Sequence, residues 1–227
     1  AVTDTASGYR STLDKRYQAV QCESRHGPGP TPTTAPSIAH RPLASIMVGV
    51  SLTNGCGECH TGAHEPVVEE WSTSGHGFVE EAPSQDPACQ GCHTGQGALA
   101  MFGVNTNYVE KTSDTPTPIT CSVCHDPHGS SNPHQLRFAL DAQDLNQNLC
   151  MKCHQRRSVP DPTSSRGPHS PQGPTLLGQA GWFPPILVAQ GITEIDATHG
   201  TSSANPKLCA TCHVHRLTVT DALTGAF

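Results

Sequence analysis

The sequence predicts a chain that is mostly coil with short α-helices and little or no β-sheet. Three observations carry that expectation. Hydrophobic residues make up 34% and aromatics 4% of the 227 residues, against roughly 45–50% apolar in an ordinary soluble domain. Glycine (21) and proline (20) are abundant; glycine interrupts regular elements through backbone entropy and proline through its missing N–H. Charged residues are only 14%, too few for a self-repelling disordered chain. Something other than side chains must therefore supply buried apolar volume, and the 11 cysteines and 14 histidines point to what it is.

Residues 1–26 carry clustered charge and read as an arm, with a short helix expected over Leu13–Cys22. Gly27–Pro36 (GPGPTPTTAP) reads as an extended polyproline-type linker. We therefore divide the chain into an N-terminal arm and Pro-rich linker, 1–40, and a main domain, 41–227. Leu43–Leu52 is the longest apolar stretch, about half of the roughly 20 residues needed to span a bilayer, so no transmembrane segment is expected. Short helices are expected over His64–Thr73 and Ala139–Cys153. Thr112–Pro118 reads as a second, shorter linker, and Pro160–Pro174 as a Ser/Gly/Pro-rich loop. Short alternating stretches occur only near Tyr9 and over Thr218–Thr220. The net charge of −6 and the lack of a basic run exclude a nucleic-acid footprint. A first residue Ala1 rather than Met suits an exported protein whose leader has been removed.

Five segments share one pattern: Cys56-x-x-Cys59-His60, Cys89-x-x-Cys92-His93, Cys121-x-x-Cys124-His125, Cys150-x-x-Cys153-His154 and Cys209-x-x-Cys212-His213. Their first cysteines are 33, 32, 29 and 59 residues apart, the last gap being about twice the others. The intervening residues show little mutual similarity, so this is a ligand repeat rather than a solenoid. CxxCH is the attachment sequence of c-type haem: two thiols add across the two vinyl groups, and the adjacent histidine reaches the iron. Given five CxxC pairs, a trailing histidine at every one arises by chance about one time in a million.

Zinc ribbons also use CxxC pairs, but they close tetrahedral sites two pairs at a time. Five is an odd number, and the histidine has no role in a four-cysteine site. A disulfide framework would need five bridges between cysteines two residues apart, which is implausible. Five covalent haems supply the apolar surface that the composition lacks, and the fold class becomes short helices and coil organised around them. By the logic of metal-dependent domains, the apoprotein is expected to lack a stable fold.

The second axial ligand separates electron carriage from catalysis, since an open position binds substrate. Met47, Met101 and Met151 are too few for five irons, and Met151 lies inside a motif. Nine histidines remain beyond the motifs, so bis-histidine ligation is the economical reading, and it implies lower potentials than Met/His ligation. His128 follows His125 by three residues across Pro127, too short a link to round a porphyrin edge, so as a ligand it must serve a different haem. The same holds for His64 after His60 and His215 after His213. His76, His169 and His199 sit beside small residues that let a haem approach. We expect His76, His128, His169, His199 and, beyond the linker, His40 as distal ligands, with His26 and His64 as rivals for the last. Cys22-Glu-Ser-Arg-His26 has the length of the motif without its second cysteine; we count five haems without it.

The order of CxxCH, Trp71-x-x-Ser74-x-His76, Cys121 to Gly129 (CSVCHDPHG) with Gln135-Leu136-Arg137, and Gly167 to Gly173 (GPHSPQG) resembles multihaem outer-surface c-type cytochromes. Among these are the cytochromes that polymerise into extracellular filaments. The resemblance runs from about Gly55 to His213. It implies a mostly coil protein with all haems bis-histidine, and one haem per subunit taking its distal histidine from a neighbour, a role suited to His40 or His26. Five haems differ from that family's four- and six-haem examples.

The leading reading is thus a pentahaem electron carrier, not an enzyme, extracellular or at the cell surface. Its expected partners are further copies of itself in a head-to-tail homopolymer, and redox partners: other cytochromes and extracellular metal acceptors. A monomeric periplasmic shuttle is the alternative. A multihaem reductase is disfavoured, because pentahaem nitrite reductases mark the catalytic haem with lysine and all five motifs here end in histidine. Each ferric bis-histidine haem with ionised propionates adds about −1, taking the charge to about −11 oxidised and about −16 reduced. Such a surface favours basic partners or cations.

Overall fold

A computed structural model describes residue 26 and residues 34–40, 43–49, 55–62, 66–104, 108–196, 199–200 and 203–214. Among these the chain is mostly coil, with short helices and only isolated bridges (Ala44 with Tyr108, His125 with Leu136, Ala139 with Asn148) in place of strands. The α-helices are α1 (Val67–Thr73), α2 (Glu81–Gln85), α3 (Pro87–His93), α4 (Gly95–Met101), α5 (Cys121–Cys124), α6 (Gln172–Leu176), α7 (Pro185–Ala189) and α8 (Ala210–His213). Helices of this length are unstable in isolation, so local caps and packing hold them. Asp86 accepts the Ala88 N–H at 2.9 Å with Pro87 at the first helical position of α3. Thr94 accepts the Gly97 N–H at 3.0 Å to begin α4. Gly97 lies so close to the Gln90 carbonyl that no Cβ fits there. None of the described helices is long and apolar enough to cross a membrane.

Contacts divide the described residues into two compact units that part between Cys121 and Ser122. In the first, Ile46, Val48, Val68, Leu99 and Tyr108 are buried. In the second, Val123, Leu136, Leu149, Met151, Leu177 and Leu208 are. Of the expected arm, residues 1–25 and 27–33 lie outside the described residues, as do the helix over Leu13–Cys22, the stretches near Tyr9 and Thr218–Thr220, Cys22, His64 and His215.

Two expectations are corrected. Of the helix expected over His64–Thr73, Val67–Thr73 is helical as α1 and residues 64–65 lie outside the described residues, but Ala139–Cys153 is a series of turns. The reason is Asn148, 0% exposed. Its amide donates to the carbonyls of Leu140 and Ala142 at 2.7 and 3.2 Å, and its oxygen accepts the N–H groups of Cys150 and Met151 at 3.1 and 3.2 Å. A side chain that takes up backbone groups in this way competes with the helical ladder. The Thr112–Pro118 stretch is no free linker either. The Gln96 side chain accepts the Thr117 N–H at 2.9 Å and donates to the Thr115 carbonyl at 2.8 Å, and the Gly95 N–H donates to the Thr117 carbonyl at 2.9 Å.

Candidate haem-attachment centres

All five motifs fold as a single helical turn. In the first, fourth and fifth, the N–H groups of His60, His154 and His213 donate to the carbonyls of Cys56, Cys150 and Cys209 at 3.1, 3.1 and 3.0 Å. The second lies in α3 and the cysteines of the third span α5. At 3.6 residues per turn, positions i, i+3 and i+4 share one face. Both sulfurs and the imidazole of each motif therefore leave the backbone on one side, as a porphyrin bound by two thioethers and an axial histidine requires. The ten described motif cysteines form no disulfides. Among the described residues no three Cys, His, Asp or Glu side chains converge on one point as a bare metal ion would need. Phe78 and Trp182, 61% and 68% exposed, offer flat apolar surface of the kind a porphyrin face covers. The residues present fit haem c.

Each turn is held by its own device. The Gly57 N–H donates to the Val48 carbonyl at 2.8 Å, docking the first motif on the segment that buries Ile46 and Val48. At the second motif, His93 Nδ1 lies 3.1 Å from a Glu80 carboxylate oxygen. At the third, His125 Nδ1 lies 2.8 Å from the His134 carbonyl. A carbonyl only accepts, so Nδ1 carries the proton and Nε2 remains for a metal. That acceptor is presented at a conformational cost: His134 and Gln135 have φ of 57° and 58°, a left-handed geometry costing about 1–3 kcal/mol per residue. The turn also aims the Gln135 carbonyl at the Asp126 N–H, 2.7 Å away. Arg137 completes the clasp, donating to the Ser122 carbonyl at 2.9 Å and to Asp126 at 3.1 Å. Burial lowers the Arg137 pKa and the charge of Asp126 opposes it, while burial pushes the Cys124 thiol up.

The fourth and fifth motifs, 59 residues apart in sequence, meet in space. Met151 and Leu208 pack with Leu177 in one buried cluster, flanked by Cys209. The Cys150 thiol lies within hydrogen-bond reach of the Cys209 sulfur, and this contact pushes the Cys150 pKa up and the Cys209 pKa down. Cys124 is close enough to raise Cys150 further. Cysteines of the third, fourth and fifth motifs therefore approach one another within the second unit. The doubled sequence gap is the loop that returns the chain, tied by the Gly173 N–H to the His154 carbonyl at 2.8 Å.

The expected distal histidines take varied positions. His40 is exposed, its Nδ1 2.6 Å from the Ala35 carbonyl. His76 is exposed in a 3₁₀ turn over Gly75–Gly77 capped by Ser74. Trp71 Nε1 donates to the Ile119 carbonyl at 2.8 Å, which ties the His76 segment to the chain entering Cys121. His128 has 79% of its side chain exposed, with Nδ1 3.9 Å from Asp126. The His169 N–H donates to the Arg156 carbonyl at 3.2 Å, beside the fourth motif. The His199 carbonyl accepts from Asn205 at 2.9 Å, and Asn205 also donates to the carbonyl of Leu208, just before the fifth motif, and accepts from Thr211 within it. Reading residues alone missed Glu80, Asn148 and Asn205. Only the asparagines left a signal, a turn-forming residue shortly before each CxxCH.

Residues 117–158, which hold the third and fourth motifs, match the family model for the doubled CXXCH motif. No curated protein and no solved structure matches the chain. The doubled motif is typical of multihaem c-type cytochromes, which generally carry electrons, and the CxxCH motifs indicate covalently bound haem c.

Proposed function

We propose that the chain is a pentahaem, bis-histidine electron carrier that assembles head to tail outside the cell. The observation that carries this reading is the five CxxCH turns, each presenting two sulfurs and one imidazole on a single face. Bound haem c supplies one-electron redox chemistry. The chain's own residues tether it (Cys56, Cys59, Cys89, Cys92, Cys121, Cys124, Cys150, Cys153, Cys209 and Cys212) and hold the iron through His60, His93, His125, His154 and His213. His76, His128, His169, His199 and His40 would supply the remaining iron ligands and deny the metal to substrate. The approach of the last three motifs supports close spacing of their haems, which electron passage needs. His40 is exposed with its Nδ1 hydrogen-bonded, which leaves Nε2 for the iron of a neighbouring subunit, and exposed Ile186 and Val188 support a homotypic contact. Cytochromes and extracellular metal acceptors remain the proposed redox partners, and the acidic surface supports cationic ones.

Two measurements on the native preparation test this. A pyridine haemochrome assay should find five haems per chain with a low-spin spectrum, and negative-stain microscopy should show filaments. His40→Ala should abolish the filaments while leaving five haems attached. Far fewer than five haems, or a high-spin ferric signal, would overturn the carrier reading. Monodisperse single particles in the native preparation would replace the filament with a monomeric shuttle.

A further inference from the structure

We propose that the Glu80 carboxylate lowers the redox potential of the second motif's haem by accepting the Nδ1–H of His93. The proposal rests on the reading that His93 is an axial ligand. An imidazole bound through Nε2 keeps its proton on Nδ1, where Glu80 stands 3.1 Å away. A carboxylate acceptor draws that proton and raises the basicity of the other nitrogen. A more basic ligand favours ferric over ferrous iron, and hydrogen bonding behind the ligand is one of the levers that set haem potentials. The third motif provides the contrast, because the acceptor behind His125 is the neutral His134 carbonyl at 2.8 Å.

The placement of Glu80 is built into the α2–α3 corner. The Glu80 carbonyl accepts the Ser84 N–H at 3.1 Å to begin α2. Ser84 is 1% exposed, and its carbonyl accepts from the Gln90 side chain, on α3, at 2.9 Å. The Asp86 carbonyl accepts the N–H groups of Cys89 and Gln90 at 2.8 and 3.0 Å. The same corner therefore positions the motif and the carboxylate behind its histidine. The Glu80 side chain is 69% exposed and that of His93 25%. Solvent screening weakens the effect, and we take about tenfold for the redox equilibrium, the lower end of the roughly 10–100-fold that partners behind a ligand contribute to metal affinity or activity.

Glu80→Gln keeps the shape and an accepting oxygen but removes the charge. In spectroelectrochemical titration of the holoprotein, the potential of one couple should rise by about 59 mV, a roughly tenfold shift of its one-electron equilibrium from ferric toward ferrous, while the others stay. Glu80→Asp should restore it. Glu81→Gln removes the same charge one residue along and should move no couple by more than about twofold. The proposal is overturned if every couple of Glu80→Gln stays within twofold of the parent, or if Glu81→Gln shifts one equally. Mass analysis of the peptide bearing Cys89 and Cys92 separates the two layers. Haem present with an unmoved potential sinks this proposal alone, whereas a bare peptide sinks the attachment reading and this proposal with it.

Discussion

Replacing Asn148 with alanine should unfasten the fourth motif. The side chain is fully buried and makes four hydrogen bonds, two to N–H groups of the motif and two to carbonyls of the preceding loop. A typical buried hydrogen bond contributes about 1 kcal/mol net, and a buried partner left unsatisfied costs about 1–3 kcal/mol. Alanine removes all four at once, so we expect a loss of about 4 kcal/mol, close to a thousandfold in the folded-to-unfolded ratio. Asn148→Asp keeps the oxygen that caps Cys150 and Met151 but turns a second oxygen toward the Leu140 and Ala142 carbonyls, so it should lose as much. The assay is urea unfolding of the holoprotein followed through its haem absorbance. At about 1–3 kcal/mol per molar urea, the midpoint should fall by at least about 1 M. Peptide mass analysis should show under-loading at Cys150 and Cys153 with the other motifs loaded. A midpoint within about 0.3 M of the parent and full loading at the fourth motif would refute the reasoning.

Gly97→Ala places a Cβ against the Gln90 carbonyl and should force α4 away from α3; expected is reduced haem loading at Cys89 and Cys92, read by peptide mass, with the later motifs unaffected. Met151→Ala, at a residue 0% exposed, should cost about 2–5 kcal/mol and loosen the contact between the fourth and fifth motifs. Urea unfolding should show that loss, while the haem count per chain stays that of the parent.

The chemistry of this chain was legible in the amino-acid order, because covalent haem attachment is a local requirement. Two thiols and an imidazole must leave one helical turn on one side, and Cys-x-x-Cys-His satisfies that wherever it occurs. The coil-rich fold was legible for a related reason: few apolar side chains and many glycines and prolines cannot build long elements. Ala139–Cys153 misled because its helix-compatible pattern contains an asparagine whose partners, Leu140 and Ala142, become partners only once the chain turns back. Thr112–Pro118 misled because Gln96, some twenty residues earlier, clamps it. The meeting of the fourth and fifth motifs across 59 residues and the stationing of Glu80 behind His93 have no periodicity or spacing to reveal them. Local sequence determined the chemistry each motif offers. Tertiary structure alone decided which motifs are neighbours and what stands behind each histidine, because those contacts join residues that no local rule relates.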